Sequence, residues 1–247
     1  MNRATHTFVV VCAAVTLAAA DLGAQEPPRG YISINGGVNA TGDPLAERGE
    51  FEVNLEQATY EARHPFRSGV LIDGGVGVRI WKGLGAGAAV SRSEKRTAAT
   101  VDARIPHPFQ FEALRDITGQ SSPAQRSETG VHMQVHYQFP LVAGLRATLF
   151  GGPSYLRAEQ DLVTGVRYDE SYPYDTATFA SADLGRAKGS GFGFNTGADL
   201  LWMFTSRFGT GGLIRWTRAA VDLEGAGRRV ELDAGGVHAA LGARVLF

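Results

Sequence analysis

The sequence predicts an all-β fold, an eight-stranded antiparallel transmembrane β-barrel with short periplasmic turns and long extracellular loops. Three observations carry this. Apolar residues recur at every second position over long stretches. The connections between those stretches alternate short and long. The chain also opens with a short apolar run of the kind that directs export.

The leader comes first. Arg3 supplies a positive start, and Phe8 to Ala20 is an apolar run within the usual export-signal range of about 7–15 residues. The run is shorter than the roughly 20 residues a spanning helix needs. Residues 1–24 therefore read as a signal peptide cleaved after Ala24, with Ala20 as the alternative site, and residues 25–247 as one barrel domain. Cys12, the single cysteine, leaves with the signal, which excludes a disulfide scaffold and a cysteine-based zinc cluster. No later apolar stretch is long enough for a membrane helix.

Composition agrees. Glycine is 32 of 247 residues, about twice its usual share of roughly 7%. Glycine weakens helix interiors, so this excess argues against a helical bundle. The net charge of −1 provides no basic field for nucleic acid.

The strands follow in order at about 30–39, 68–80, 84–95, 129–139, 145–157, 190–204, 208–222 and 229–247. The clearest is Gly130–Phe139, where Val131, Met133, Val135, Tyr137 and Phe139 share one face and His132, Gln134, His136 and Gln138 the other. That is a period of two over a length suited to a tilted membrane strand. In 190–204 the apolar face carries Phe192, Phe194, Leu200, Trp202 and Phe204, opposite Asn195 and Asp199. In the last strand Val237, Ala239, Leu241, Ala243, Val245 and Phe247 alternate with His238 and Arg244. The second and seventh strands alternate less cleanly. The fifth contains Pro153, which has no N–H to donate, and an irregularity is expected there. Short turns fall near 81–83, 140–144, 205–207 and 223–228, and long loops near 40–67, 96–128 and 158–189.

Hydrocarbon offers backbone groups no hydrogen-bond partners, so a spanning sheet must close on itself, apolar outside. A soluble sandwich or lipocalin-like barrel would turn the apolar face inward. Aromatic residues near the strand ends (Trp81, Phe139, Trp202, Phe204 and Phe208) suit an interfacial girdle and favour the membrane.

The C-terminal VHAALGARVLF resembles the β-signal of bacterial outer-membrane proteins, which end in Phe with apolar residues at alternate preceding positions. With the leader and the strand count, the chain resembles small outer-membrane barrels of the OmpA-transmembrane-domain, OmpX and OmpW type. The resemblance implies location in the cell outer membrane, a monomer, and recognition of Leu241, Ala243, Val245 and Phe247 by the outer-membrane assembly machinery. No peptidoglycan-binding domain is expected after the last strand, a departure from OmpA.

The expected lumen holds Asn35, Asp73, Arg79, His132, Gln134, His136, Arg146, Asn195, Asp199, Arg215, His238 and Arg244. Hairpin arithmetic sets Asp199 opposite Arg215, Gln138 opposite Arg146 and His136 opposite Thr148. Asp199–Arg215 is then the expected internal ion pair. The cluster reads as a polar plug that fixes register; the alternative is a proton or ion path. His132 and His136 are about 13 Å apart on a strand and cannot grip one metal ion. No cofactor is expected.

Function is expected in the loops. The segment Ile105–Phe111 is expected to pack over the barrel mouth, with partner binding as the alternative, and Tyr168–Asp175 to be a solvated acidic and aromatic loop, with binding of divalent cations or a surface ligand as the alternative. A lipid-modifying enzyme would need a His-x-Ser pair on one strand face, but His132, His136 and His238 are followed by Gln134, Gln138 and Ala240. No nucleophile elbow stands out. The leading expectation is a structural or surface-interaction protein whose loops contact lipopolysaccharide or external partners. The alternatives are a narrow OmpW-like conduit for small solutes and, third, a lipid A-modifying enzyme.

Overall fold

A computed structural model describes residues 29–40, 44–142, 144–225 and 227–247; the expected signal peptide and Cys12 lie outside the described residues. Ten strands run β1 (Gly30–Ala40), β2 (Leu45–Val53), β3 (Glu56–His64), β4 (Ser68–Trp81), β5 (Leu84–Pro106), β6 (Leu114–Val142), β7 (Leu145–Glu170), β8 (Ala177–Met203), β9 (Phe208–Gly225) and β10 (Arg228–Leu246). Eight of them, β1-β4-β5-β6-β7-β8-β9-β10, close into a ring of antiparallel neighbours. All eight expected strands are present in the expected order. Both ends of the described barrel lie together, with the Arg29 and Gly30 N–H groups donating to the Phe247 carbonyl.

The ring is staggered. A rung from Ser33 runs through Gly75, Ala89, His132, Ser154, Gly193 and Ala219 to Ala234. Ser33 itself pairs with Arg244, a different place on the same strand β10. The strands therefore tilt, as barrel closure demands.

Outward residues of the lower barrel are apolar and exposed, among them Ile72, Val76, Val90, Met133, Val135, Leu149, Ile214 and Leu241. From Phe192 to Trp202 along β8 is about 33 Å at 3.3 Å per residue, and a tilt near 45° makes this roughly 23 Å of height. That matches the apolar band of an outer-membrane barrel, about 25 Å tall. The lumenal face of the same strands is polar. The protein is an outer-membrane β-barrel, and the soluble alternative fails because the apolar face points out. Lumenal glycines make room for rings: a Cβ on Gly77 would collide with the Tyr31 ring.

The long loops need correcting. Residues 96–128 and 158–189 are mostly strand, because β5, β6, β7 and β8 continue far beyond the membrane and leave only tips near 107–113 and 171–176. Within the third, 40–67, residues 45–64 form the β2–β3 hairpin, which pairs with the upper part of β5 through Thr59–Arg63. Together these form a β-structured tower outside the membrane.

The alternation changes sign where the tower begins. Along β9, Ile214 and Trp216 face lipid, whereas Ala219, Val221 and Leu223 face inward and Arg218, Asp222 and Glu224 face water. β7 does the same after Tyr155, turning Leu156, Ala158 and Leu162 inward. The tower thus has a soluble-type interior. Leu156, Leu162, Ala187, Val221, Leu223 and Leu232 form its lower cluster. Tyr60, Val101, Ile105, Ile117, Val163 and Val166 form its upper one. Ile105 belongs to this upper core, and Phe109 and Phe111 are exposed at the tower tip. The expected aromatic cap over the barrel mouth is therefore not formed, because the mouth is already closed from within. Tyr168 packs against the upper cluster, and Glu170 of the expected solvated loop pairs with Arg115 at 2.7 Å.

Candidate functional site

The polar lumen is the candidate site. Reading β6 upward from its periplasmic turn, the inward residues are Gln138, His136, Gln134, His132, Glu128 and Arg126. Each meets partners from the opposite wall, because the lumen of an eight-stranded barrel is only wide enough for side chains.

The central layer is an ionic network. Arg215 donates to Asp73 at 2.6 Å, and Asn35 donates to the other oxygen of Asp73 at 2.8 Å. Arg244 donates to Asn35 at 2.5 Å and also pairs with Asp199. The expected Asp199–Arg215 pair is not formed. The β8–β9 ladder is centred on Ser206, pairing Met203 with Gly209, and so sets Gly197 opposite Arg215 and Asp199 opposite Leu213. The turn after β6 shifts its hairpin likewise, so Gln138 faces Thr148, His136 faces Phe150 and Pro140 faces Arg146. Arg146 consequently sits near the turn, outside the network, while Arg79 lines the periplasmic end of the lumen.

Above this layer, His132 lies between two hydroxyls, with Ser91 Oγ and Ser154 Oγ each 2.8 Å from a ring nitrogen. His238 meets the same ring at 6.3 Å between centroids. His136 instead packs edge-on to Tyr31. The two histidines expected to be too far apart for one ion thus have separate partners. This Ser–His–Ser contact spans three strands, so no His-x-Ser pattern along one strand reveals it. It is fully enclosed, with His132 at 0% exposure, so no substrate reaches it.

Pro153 produces the expected irregularity. The β6–β7 ladder lapses between His132–Ser154 and Val135–Gly151 without changing register. The Asn195 amide fills the lapse, donating to the carbonyls of Met133 at 3.3 Å, Gly152 at 2.9 Å and Pro153 at 3.2 Å. Gln134 donates back to Asn195 at 3.2 Å.

A third layer lies just above the apolar belt, and sequence reasoning missed it because it placed Arg126 and Glu128 in a loop and so left Lys95 without its neighbours. Arg126 donates to Glu128 at 2.6 Å, and the other Glu128 oxygen accepts the Gly235 N–H at 3.0 Å. Gly235 has a φ of 109°, a conformation that glycine permits. Lys95 is buried beside this pair, and its Nζ has no hydrogen-bond partner. Burial lowers the Lys95 ammonium to about 8, with Glu128 opposing the shift and Arg126 adding to it. The unfolded chain keeps this proton up to about 10.5. Between those values the unfolded state binds more protons, so stability rises with pH across that window. Lys95→Met is expected to raise stability at pH 7 by about 2–3 kcal/mol and to remove the alkaline rise. Urea titrations at pH 7 and 10 on both proteins check this; an unchanged alkaline rise in the variant refutes it.

Below the ionic network a cavity of about 60 Å³ opens among Tyr31, Arg79, His136, Thr148, Asp199 and Arg244. Above it the lumen is shut by Leu71, Phe150, Leu213 and Ala240, by the third layer, and by the tower core. Among the described residues no group of three or more His, Cys, Asp or Glu side chains could hold a metal ion.

The proposed β-signal residues Leu241, Ala243 and Val245 face outward on β10, which is paired on both sides and closes the ring, and Phe247, exposed, follows directly after it.

No protein-family model and no curated protein matches the chain. Solved structures of outer-membrane proteins resemble it. Neisserial surface protein A matches with a TM-score of 0.45 and 14% identity, over 88% of this chain and 97% of that one. OprG from Pseudomonas aeruginosa matches with a TM-score of 0.45 and 10% identity, over 89% and 97%. A major outer-membrane protein from Thermus thermophilus matches with a TM-score of 0.43 and 10% identity, over 88% and 99%.

Proposed function

We propose that the protein is a non-conducting outer-membrane barrel that displays a rigid β-tower at the cell surface and acts by contact with the lipopolysaccharide layer or with external partners. One observation carries this reading: the lumen is closed by side chains over its whole upper length. A conduit needs a path. Here the Arg215–Asp73 pair, the His132 layer, the Arg126–Glu128 pair and a largely apolar core lie in series. Opening one layer leaves the others. The tower, by contrast, presents charged ladders to solvent, such as Arg167–Asp183 and Arg218–Asp233. We also propose that the outward stripe of β10 is what the assembly machinery reads, since it is the last strand to complete the ring.

The test is single-channel recording and small-solute flux with the chain folded into planar bilayers. No stable conductance is expected, and Asp73→Asn is expected to stay silent because the layers above it remain. Steady channels of uniform size would overturn the closed-lumen reading and restore the conduit.

A further inference from the structure

We propose that the outer rim of the barrel on β5–β8 carries a binding site for the phosphorylated headgroup of an outer-leaflet lipid, gripped by Arg92 and Arg157. The proposal rests on the orientation above, with the tower outside, and deepens the lipopolysaccharide part of that reading.

The site is one rung. Arg92, Thr129, Arg157 and Ser190 are direct neighbours on four successive strands, and all point outward. The rung immediately below is Val90, Val131, Tyr155 and Phe192, the last apolar rung of the belt on these strands. Tyr155 and Phe192 touch, with ring centroids 5.2 Å apart. Acyl chains lying on the lower rung therefore bring their headgroup to the upper one.

The spacing suits a phosphate. Arg92 and Arg157 stand two strands apart, about 10 Å between backbones. Two guanidinium forks reaching inward from that distance can share one phosphate, with the Thr129 and Ser190 hydroxyls between and beside them as further donors. Guanidinium matches phosphate bidentately, which is why arginine is favoured at such contacts.

Charge points the same way. Arg92 makes no ion pair among the described residues. Arg157 shares Glu159 with Lys188, so one carboxylate serves two cations. Arg96 is matched by Glu94. The patch therefore keeps an excess of positive charge at the headgroup level. The β9–β10 rim differs, because Arg218 is met there by Asp233 at 2.8 Å.

The test uses the full chain folded into phosphatidylcholine nanodiscs containing a few mole per cent of bis-phosphorylated lipid A, or the same lipid with its phosphates removed. Bound lipid is counted by native mass spectrometry. The wild type should retain the phosphorylated lipid at least about tenfold more tightly than the dephosphorylated one, and Arg92→Gln/Arg157→Gln should lose that preference. Arg104→Gln/Arg167→Gln, which removes two exposed charges high on the tower, should keep it. Equal retention of the two lipids by the wild type overturns the site without any variant having to fold. Equal loss in the tower variant overturns it in favour of bulk charge. Displacement of the lipid by inorganic phosphate at matched phosphate concentration overturns the lipid as the ligand in favour of a free anion. Conductance on the same preparations reports separately on the closed lumen, so a conducting barrel would leave the lipid result standing.

Discussion

Asp73→Ala is expected to destabilise the barrel by about 3–5 kcal/mol, the cost of stranding one member of a buried ion pair. Asp73 takes Arg215 at 2.6 Å and Asn35 at 2.8 Å. Arg215 is 2% exposed, its Nε already lacks a partner, and its guanidinium lies 5.7 Å from the Phe150 ring. Without Asp73 that cation keeps a single aromatic face and, among the described residues, no acceptor. The pair itself is a different matter, because desolvating two charges offsets most of their attraction. Asp73→Leu combined with Arg215→Met should therefore recover most of the loss. Asp199→Asn should cost less than Asp73→Ala, since Asp199 borders the periplasmic cavity and its side chain is 17% exposed. Equilibrium urea unfolding in lipid vesicles measures all three. A cost below about 1 kcal/mol for Asp73→Ala would mean that Arg215 is compensated elsewhere, and the plug would lose its keystone.

The barrel was legible because one rule runs through the membrane strands: apolar out, mostly polar in, period two, broken inside by Leu71, Phe150, Leu213 and Ala240. Val131 to Phe139 obeys it without exception; Val237 to Phe247 keeps its apolar face outward, with Ala240 and Leu246 as apolar residues on the inner face. The tower was not legible as strand because the rule inverts there. Around Trp216-Thr217-Arg218 two apolar residues in one parity give way to Ala219, Val221 and Leu223 in the other. Read with a single parity, that stretch looks like fading alternation; read with a switch, it marks the membrane surface. The same switch follows Tyr155 on β7 and, in the opposite chain direction, Gly235–Gly236 on β10. The lumenal residues were found by parity, which needs no register. Their partners were not, because pairing depends on the length of each turn to a single residue, and partners across the lumen follow from the stagger of the whole ring. Hence Asp73, Arg215, Asp199 and Arg244 were all placed inside, yet Asp199 was paired with the wrong arginine.

Glu47→Ala is the second large effect, and it should be confined to the tower. Glu47 is buried on β2, where its carboxylate accepts from His64 Nε2 at 2.7 Å, from the Val163 N–H at 2.7 Å and from Arg228. Four strands thus meet at one side chain: β2, β3, β7 and β10. Arg228 adds bonds to the Val163 carbonyl at 2.7 Å and the Arg48 carbonyl at 2.8 Å, and lies over the Tyr60 ring. Beyond this latch, the β2–β3 hairpin is held to the ring by its short ladder to β5 and by the side chains it buries in the upper core. Removing the carboxylate leaves a buried N–H and a buried imidazole without their acceptor and takes from Arg228 its carboxylate partner, a loss of about 3 kcal/mol. That corresponds to roughly a hundredfold faster hydrogen exchange across residues 45–64, with protease sensitivity appearing at the Asn54–Leu55 turn. Exchange in the membrane strands should not change, because the lumenal layers are closed independently below. Glu50→Ala, on the outward face of the same strand, should stay within about 0.5 kcal/mol of wild type. If Glu47→Ala instead lowers protection equally in β2–β3 and in the lumenal strands, tower and barrel form one cooperative unit, and the hairpin is no separable surface element.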